Sequence, residues 1–487
     1  MTGDDNGNVL NSIAPDAVRR IHLVGVGGTG MGAFAGMLKT AGYRVTGSDE
    51  NVYPPMSDML REWGIDVFTP YAPDNIDRAQ PDLVIIGNVI RRVNPEASAV
   101  RERGIPQMSF PAALGSLILA NRHSVVIVGT HGKTTVSALM AHVLVDAGLD
   151  PSFLVGGVTV NYGANYRLGK GKHVVVEGDE YDTAYFDKGP KFLHYRARTA
   201  ILTSVEFDHA DIYRDLAHYE SAFEKFAQTL PTDGVLAVSA SYPRAVEIAK
   251  ANARAKVVTY AVNGASDYRA DDEKFGPDGV TFKLHARGRK PGALLLPMSG
   301  YHNVENAAGV YAAARSLGLS HDQIAHGFTT FKGVKRRQEV RGEIGGVLVI
   351  DDFAHHPTAV RETIEGIRQR YPDRRLWAVF EPRSNTSRRN IHQQDYVTAL
   401  KGADLATIRE PEAHDKVPQD QRLNVPIIVK ELAAAGVAAE SSAAVETLIE
   451  RVGNYAEPND LLLVMSNGSF GGLIPAVLDR LKERFGS

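Results

Sequence analysis

The sequence has no cysteine. That excludes disulfides, zinc–thiolate sites, iron–sulfur clusters and cysteine nucleophiles, and it fits a reducing, cytoplasmic setting. It also has no charge excess: 54 Lys and Arg stand against 57 Asp and Glu, a net charge of −3. Such a balance leaves no broad basic footprint for nucleic acid or anionic lipid. No run approaches the roughly 18 consecutive apolar residues of a membrane span. The first 20 residues are polar with early acids and no apolar stretch, so they are not expected to form a signal peptide. No fixed-period repeat or low-complexity tract is present, which excludes solenoids. What is present is 487 residues, 44% apolar and 23% charged. That is a soluble globular profile too long for one core, and about three domains are expected at roughly 100–200 residues each.

The 46 glycines gain meaning from where they fall. Residues 1–121 open with the apolar run Ile21–Val24, followed by Gly25-Val-Gly27-Gly28-Thr29-Gly30-Met31-Gly32. Met31, Phe34, Ala35 and Leu38 then recur at helical spacing. Further strand-like runs end in Gly47-Ser48-Asp49 and Gly87-Asn88, so strand and helix patterns alternate as in βαβ units. Residues 122–335 start with a buried-strand pattern at Ser124–Val128 that runs into Gly129-Thr130-His131-Gly132-Lys133-Thr134-Thr135 and a helical stripe from Val136 to Ala147. The polar stretch 263–292 reads as hairpins or surface loops. Residues 336–487 repeat the theme of a strand followed by a polar turn, at Asp351-Asp352, at Glu381-Pro-Arg383-Ser384-Asn385 and at Ser466-Asn467-Gly468. In open parallel sheets, ligands bind beyond the carboxyl ends of the strands, where all three clusters fall.

Gly25-x-Gly27-x-x-Gly30 fits a dinucleotide fingerprint, with Asp49 placed to meet a ribose. A bare glycine turn is the bland alternative, and the pattern does not select NAD over another diphosphate. Gly129 to Thr134 is more specific. Its amides suit phosphate oxygens, Lys133 supplies a point charge and the Thr134 hydroxyl suits a Mg²⁺ shell. The usual P-loop places a glycine five residues before the GK glycine; here Ile127 stands there, so the loop is a shortened variant. Glu177-Gly-Asp179-Glu180 and Glu206-Phe-Asp208-His209 follow strands. Acids there are commonly caps or solvated turns, but Mg·ATP needs ligands near its phosphates, and Glu177 and His209 are the candidates. His302, Asn303 and Asn306 form either a helix cap or a nucleotide contact. Arg337, in Gly333-Val-Lys-Arg-Arg337, belongs either to a charged linker or to a phosphate clamp.

Taken in order, GxGGTGMG, GTHGKTT, EGDEYD, EFDH, HNxxN, GVxRRxE and DDFAHHP resemble the Mur ligase family over residues 21–357. Ser204 stands where that family commonly carries asparagine. The resemblance implies an α/β chain with Rossmann-like N- and C-terminal domains flanking a central P-loop ATPase domain. It implies an ATP-dependent amide ligase working through an acyl phosphate. Gly25, Gly27, Gly28, Thr29, Gly30, Met31, Gly32, Ser48 and Asp49 would bind a UDP-sugar. Gly129, Thr130, His131, Gly132, Lys133, Thr134, Thr135, His302, Asn303, Asn306, Arg337 and Asp352 would bind ATP, the last two on domain closure. Thr134, Glu177 and His209 would hold Mg²⁺; Lys133, Glu177 and His209 would be catalytic. Stretches 47–60, 186–195, 381–386 and 464–472 resemble the branch that adds L-alanyl-γ-D-glutamyl-meso-diaminopimelate to UDP-N-acetylmuramate in peptidoglycan recycling. Arg383, Ser384, Asn385, Ser466 and Asn467 would grip that peptide, Arg383 pairing with a carboxylate. The alternative is L-alanine addition to the same sugar nucleotide. More remote readings are an NAD-dependent oxidoreductase, which leaves GKTT unexplained, and a non-catalytic nucleotide-gated binding protein. Nothing in the sequence calls for nucleic acid, a membrane or an obligate protein partner.

Overall fold

The computed structural model describes residues 17–54, 56–210, 212–286, 290–411 and 417–486. The leader expectation therefore falls almost wholly outside the described residues. The chain forms two compact units. One comprises residues up to 206 with 216–268 and 309–327, and the other 207–215, 269–308 and 328–487.

The first unit holds a five-stranded parallel sheet in the order Asp66–Phe68, Arg44–Ser48, Arg20–Val24, Leu83–Ile86, Gln107–Ser109. Its central strand is buried beyond Arg20, with His22 the one polar side chain inside, because helices cover both faces as parallel sheets require. The unit's other strands run Lys256–Val262, Val235–Ser239, Thr199–Leu202, His123–Val128, His173–Glu177, Ser152–Thr159 and Ala164–Arg167, parallel except for the last. The helix Lys133–Asp146 buries nearly its whole length beside them. Its apolar stripe is therefore part of an all-round buried surface, which a helix packed on every side needs.

The second unit has an antiparallel pair, Gly279–Ala286 with Gly292–Leu296, where the polar stretch 263–292 suggested hairpins. It also has a six-stranded sheet in the order Glu339–Ile344, Val347–Asp352, Asp460–Met465, Arg375–Phe380, Leu405–Arg409, Ala438–Ser442. Only Glu339–Ile344 runs antiparallel to its neighbour. Separate cores fill the two faces, one around Ile350, Phe380 and Leu463, the other around Val349, Val379 and Leu462. Alternate residues of each strand thus serve opposite layers. Among the described residues no helix is long and apolar enough to cross a membrane.

Candidate active site

His123–Val128 lies between Thr199–Leu202 and His173–Glu177. It leaves the sheet at Gly129, whose φ of 130° favours glycine, and where a Cβ would collide with the Thr203 hydroxyl and the Ser204 backbone. Gly132, at φ 78°, precedes the helix Lys133–Asp146 and offers its first amides no side-chain cap. Loop amides and a positive helix end together make an anion cradle. The neighbouring strand holds this loop in shape. Thr130 N donates to the Ser204 carbonyl at 3.0 Å, His131 N to Ser204 Oγ at 2.9 Å, and the Thr203 hydroxyl to the His131 carbonyl at 2.6 Å. Serine in place of asparagine thus still serves the loop, through its own hydroxyl. The His131 ring lies 2.7 Å from the Glu206 carboxylate, and the Thr130 hydroxyl donates to the Glu206 carbonyl at 2.9 Å. Thr135 is buried in the first helical turn.

Lys133 Nζ donates to the Gly129 carbonyl at 2.6 Å, the Thr130 carbonyl at 3.2 Å and Glu180 Oε1 at 3.0 Å. Burial works against its charge, but the carboxylates of Glu180, Asp179 and Glu177 outweigh it and hold the ammonium above the ordinary lysine value. The lysine is therefore a fixed cation, lodged in the loop that would wrap phosphate. Glu177 accepts from the Thr134 hydroxyl at 2.9 Å, the Ser137 hydroxyl at 3.4 Å and Gly156 N at 2.6 Å. Two of the expected ion ligands, Thr134 and Glu177, are thus in contact, and their hard oxygens suit a magnesium ion. Glu180, which the sequence shows only as one of an acidic run, is fully buried and holds Lys133.

The glycine turn of the first sheet is built differently. Gly25 N and Val26 N donate to the Ser48 carbonyl at 2.8 and 3.1 Å, and Gly27 N donates to Asp49 Oδ2 at 2.8 Å. Gly28, Thr29 and Gly30 are exposed, and Gly28 is the uncapped start of the helix Thr29–Thr40. Gly32 and Met31 are buried; a Cβ on Gly32 would strike the Met56 sulfur, so this glycine serves packing. The Ser48 side chain is placed otherwise than expected. It is fully buried and donates to Glu96, whose carboxylate also accepts from Asn75 at 2.6 Å and lies 3.4 Å from His22.

In the second unit, Asp352 accepts from Gln338 N and Ala354 N, both at 2.8 Å, while burial raises its carboxyl above the ordinary range against the pull of Arg337. The Arg337 and Arg336 guanidinium carbons stand 4.6 and 5.1 Å from the centre of the Phe353 ring. Arg336, unremarked in the sequence, donates to the carbonyls of Ser466 at 2.5 Å and Gly468 at 2.6 Å. The Ser466 hydroxyl donates to Glu381, which also pairs with Arg409. Arg383 is exposed and its guanidinium lies across Gly468, in the space a Cβ there would take. Ser384 accepts from Ser387 N at 3.0 Å and so caps its own turn, with Asn385 inside it. Asn467 Oδ1 is buried without a hydrogen-bond partner among the described residues. His209 adopts φ 56° beside Asp208, which burial disfavours as an anion but which His209, His355 and His356 hold below the ordinary carboxyl range. Burial pushes the His302 imidazole down to about 4, so it is neutral at neutral pH. Asn303 is buried and donates to the Ser299 carbonyl at 2.8 Å, and Asn306 donates to Asn303 Oδ1 at 3.3 Å. The Asn303 side chain thus ties the first turn of the helix Tyr301–Ser316 to the residue before Gly300.

A strand, a glycine loop bearing a buried lysine and an acidic strand end define a nucleotide-dependent enzyme, and the comparisons place the class. Residues 20–122 match the Mur ligase family catalytic domain, 127–314 the Mur ligase middle domain and 336–468 the Mur ligase glutamate ligase domain. The chain belongs to the Mur ligase family. It is 38% identical to the UDP-N-acetylmuramate--L-alanyl-gamma-D-glutamyl-meso-2,6-diaminoheptandioate ligase of Escherichia coli (strain K12), over 96% of this chain and 99% of that protein. A murein peptide ligase from Psychrobacter arcticus 273-4 has a similar structure, with TM-score 0.71 and 33% identity over 95% of this chain and 98% of that one. The UDP-N-acetylmuramate-alanine ligase of Thermotoga maritima superposes with TM-score 0.78 at 25% identity, over 96% of this chain and all of that one.

Proposed function

We propose that this chain joins L-alanyl-γ-D-glutamyl-meso-diaminopimelate to UDP-N-acetylmuramate, with ATP driving the ligation. The observation that carries this reading is the 38% identity, over nearly the whole length of both chains, to the E. coli ligase named for that peptide. A carboxylate is a poor electrophile because oxide is a poor leaving group. Transfer of the ATP γ-phosphoryl group to the sugar's carboxylate gives an acyl phosphate and ADP. The peptide amine attacks the acyl carbon, the tetrahedral intermediate expels inorganic phosphate, and the nitrogen loses a proton to leave the amide. The cationic Lys133 neutralises charge on the transferring group, and the amides of Gly129 to Thr134 cradle the phosphates. Thr134 and Glu177 fit Mg²⁺ by their oxygen donors, and we assign His209 to the same ion; bound there, it supplies further positive charge to the phosphates. We assign His302, Asn303, Asn306, Arg337 and Asp352 to the nucleotide, and residues 25–32 with Asp49 to the sugar nucleotide. The same reading divides the chain into domains at 1–121, 122–335 and 336–487.

Peptide binding is assigned to Arg383, Ser384, Asn385, Ser466 and Asn467. The unpartnered oxygen of Asn467 supports it, since a buried polar atom of this kind awaits a donor such as an amide N–H. A second reading, L-alanine as the amine, is favoured by the TM-score of 0.78 to the Thermotoga maritima enzyme. The two part on an amine panel assayed with UDP-N-acetylmuramate and ATP for ADP release and product mass. The tripeptide is expected to give product at low concentration and L-alanine only weakly; equal turnover with L-alanine overturns the substrate assignment.

A further inference from the structure

Residues 182–195 connect the acidic strand end to the strand Thr199–Leu202, and the reaction as described gives them no work. The segment is bonded to itself. Asp182 accepts from Gly189 N at 3.1 Å and pairs with Lys188 at 2.9 Å, and Thr183 donates to the Gly189 carbonyl at 2.8 Å. One side is anchored beside the P-loop. The buried Phe192 ring lies 5.7 Å from Phe223 and 5.1 Å from Phe226, and Lys191 pairs at 2.8 Å with Asp179. The other side is anchored in the N-terminal sheet. Tyr185 and Phe186 pack on the core formed by Val84, Ile86, Ile90 and Val100, and Arg101 donates to the Tyr185 hydroxyl at 2.7 Å.

The polar centre of this second anchor is Asp187. Its carboxylate accepts from the Ser109 hydroxyl at 2.7 Å and lies 3.1 Å from His194 Nε2, on the same segment. Ser109 ends the strand Gln107–Ser109 and caps the helix Phe110–Leu117. Phe110, the next residue, borders the glycine turn: its ring edge is 3.7 Å from where a Gly30 Cβ would stand. One internally bonded segment thus holds Ser109, whose neighbour Phe110 borders the glycine turn, with one side and Asp179, an acidic neighbour of Lys133, with the other.

We propose that Asp187 is a positioning residue: by binding Ser109 it fixes the glycine turn at a set distance from the phosphoryl-transferring loop, so that a sugar acid held by its diphosphate at the turn presents its carboxylate at Lys133. The inference rests on the reading that the turn takes the sugar nucleotide. A ligand that must reach two sites at once reacts at a rate set by their register, and misplacement by about 1 Å costs on the order of a hundredfold.

The test is Asp187→Asn in the full chain, which keeps the volume and removes the charge. The expected result is a fall in kcat of about tenfold, with the Kd of UDP-N-acetylmuramate by calorimetry and the KM for ATP both within about twofold of the parent. Ser109→Ala is expected to lower kcat similarly, and the double variant to be no worse than either single one. Unchanged kcat in Asp187→Asn overturns the inference, as does a joint loss of kcat, both affinities and Tm, which marks a merely structural contact. Should the parent chain fail to bind the sugar nucleotide, the functional reading falls instead. The clasp is then judged by amide exchange in Phe110–Leu117, which Asp187→Asn should accelerate; unchanged exchange overturns it.

Discussion

Two glycine turns in the first unit look alike in the sequence and differ in the structure. Each follows a buried central strand, and each leads a helix that has no side-chain cap. At 129–132 the turn is closed around a cation, with Lys133 donating to two loop carbonyls and to Glu180. At 25–32 the side chain that folds onto the loop is Asp49, which accepts from Gly27 N. On the proposed reading, the first would receive the transferring phosphoryl group and the second a diphosphate that takes no part in the chemistry. Glycine spacing alone does not tell them apart; the charged side chain that folds back onto the loop does.

The comparison breaks hardest at Lys133. Lys133→Ala is expected to cut kcat by about a thousandfold in an ADP-release assay. It also leaves Glu180 buried without its cation, so urea denaturation should show a loss of about 3 kcal/mol. Adding Glu180→Gln should recover most of that stability and none of the activity. Full activity in either variant would remove the phosphate role from this loop.

Alanine at the two turns separates them next. Gly129→Ala meets both a left-handed backbone and a collision with Thr203 and Ser204, and should cost at least about 3 kcal/mol of stability. Gly28→Ala has φ −73° and nothing within 4 Å, and should cost less than about 1 kcal/mol by the same measurement. Similar costs would mean that the two loops are equally constrained. A milder change is Glu177→Gln, which weakens the oxygen set around Thr134. The magnesium concentration for half-maximal rate should rise about tenfold, measured by titration at saturating ATP. The smallest effect is expected at the first turn. Asp49→Asn weakens its hydrogen bond to Gly27 N, and the KM for the sugar nucleotide should rise about threefold with that for ATP unmoved. A fall in KM instead would mean that Asp49 obstructs the turn.

Local features of this chemistry were legible in the residues. A strand, a glycine turn, Lys133 and the helix stripe are contiguous, so spacing alone reports their geometry. The acids at 177–180 follow a strand whose neighbour is the P-loop strand, and parallel order carries both to one sheet edge. Contacts between distant segments were not legible. Ser48 sits beside the ribose candidate Asp49, yet its hydroxyl turns under the sheet to Glu96, 48 residues away. Ser48 is the last residue of its strand, and alternation turns its side chain to the buried face. Arg336 and Arg337 lie in one basic run, and the run itself does not distinguish them. Only the fold brings the Ser466 and Gly468 carbonyls, 130 and 132 residues on, within reach of Arg336. The Asn303 amide donates to the Ser299 carbonyl, a contact that sequence spacing does not report.

Glu177 holds three donors at once, two hydroxyls and the Gly156 amide. A carboxylate has about four acceptor positions, so on the proposed reading an ion at Glu177 would either share it with these donors or replace some of them. A small divalent ion would compete with them better than a monovalent ion of low charge density, and the Thr134 hydroxyl, once released, would turn its lone pairs toward it. Selection between sodium and magnesium would then begin with competition against the protein's own hydrogen bonds.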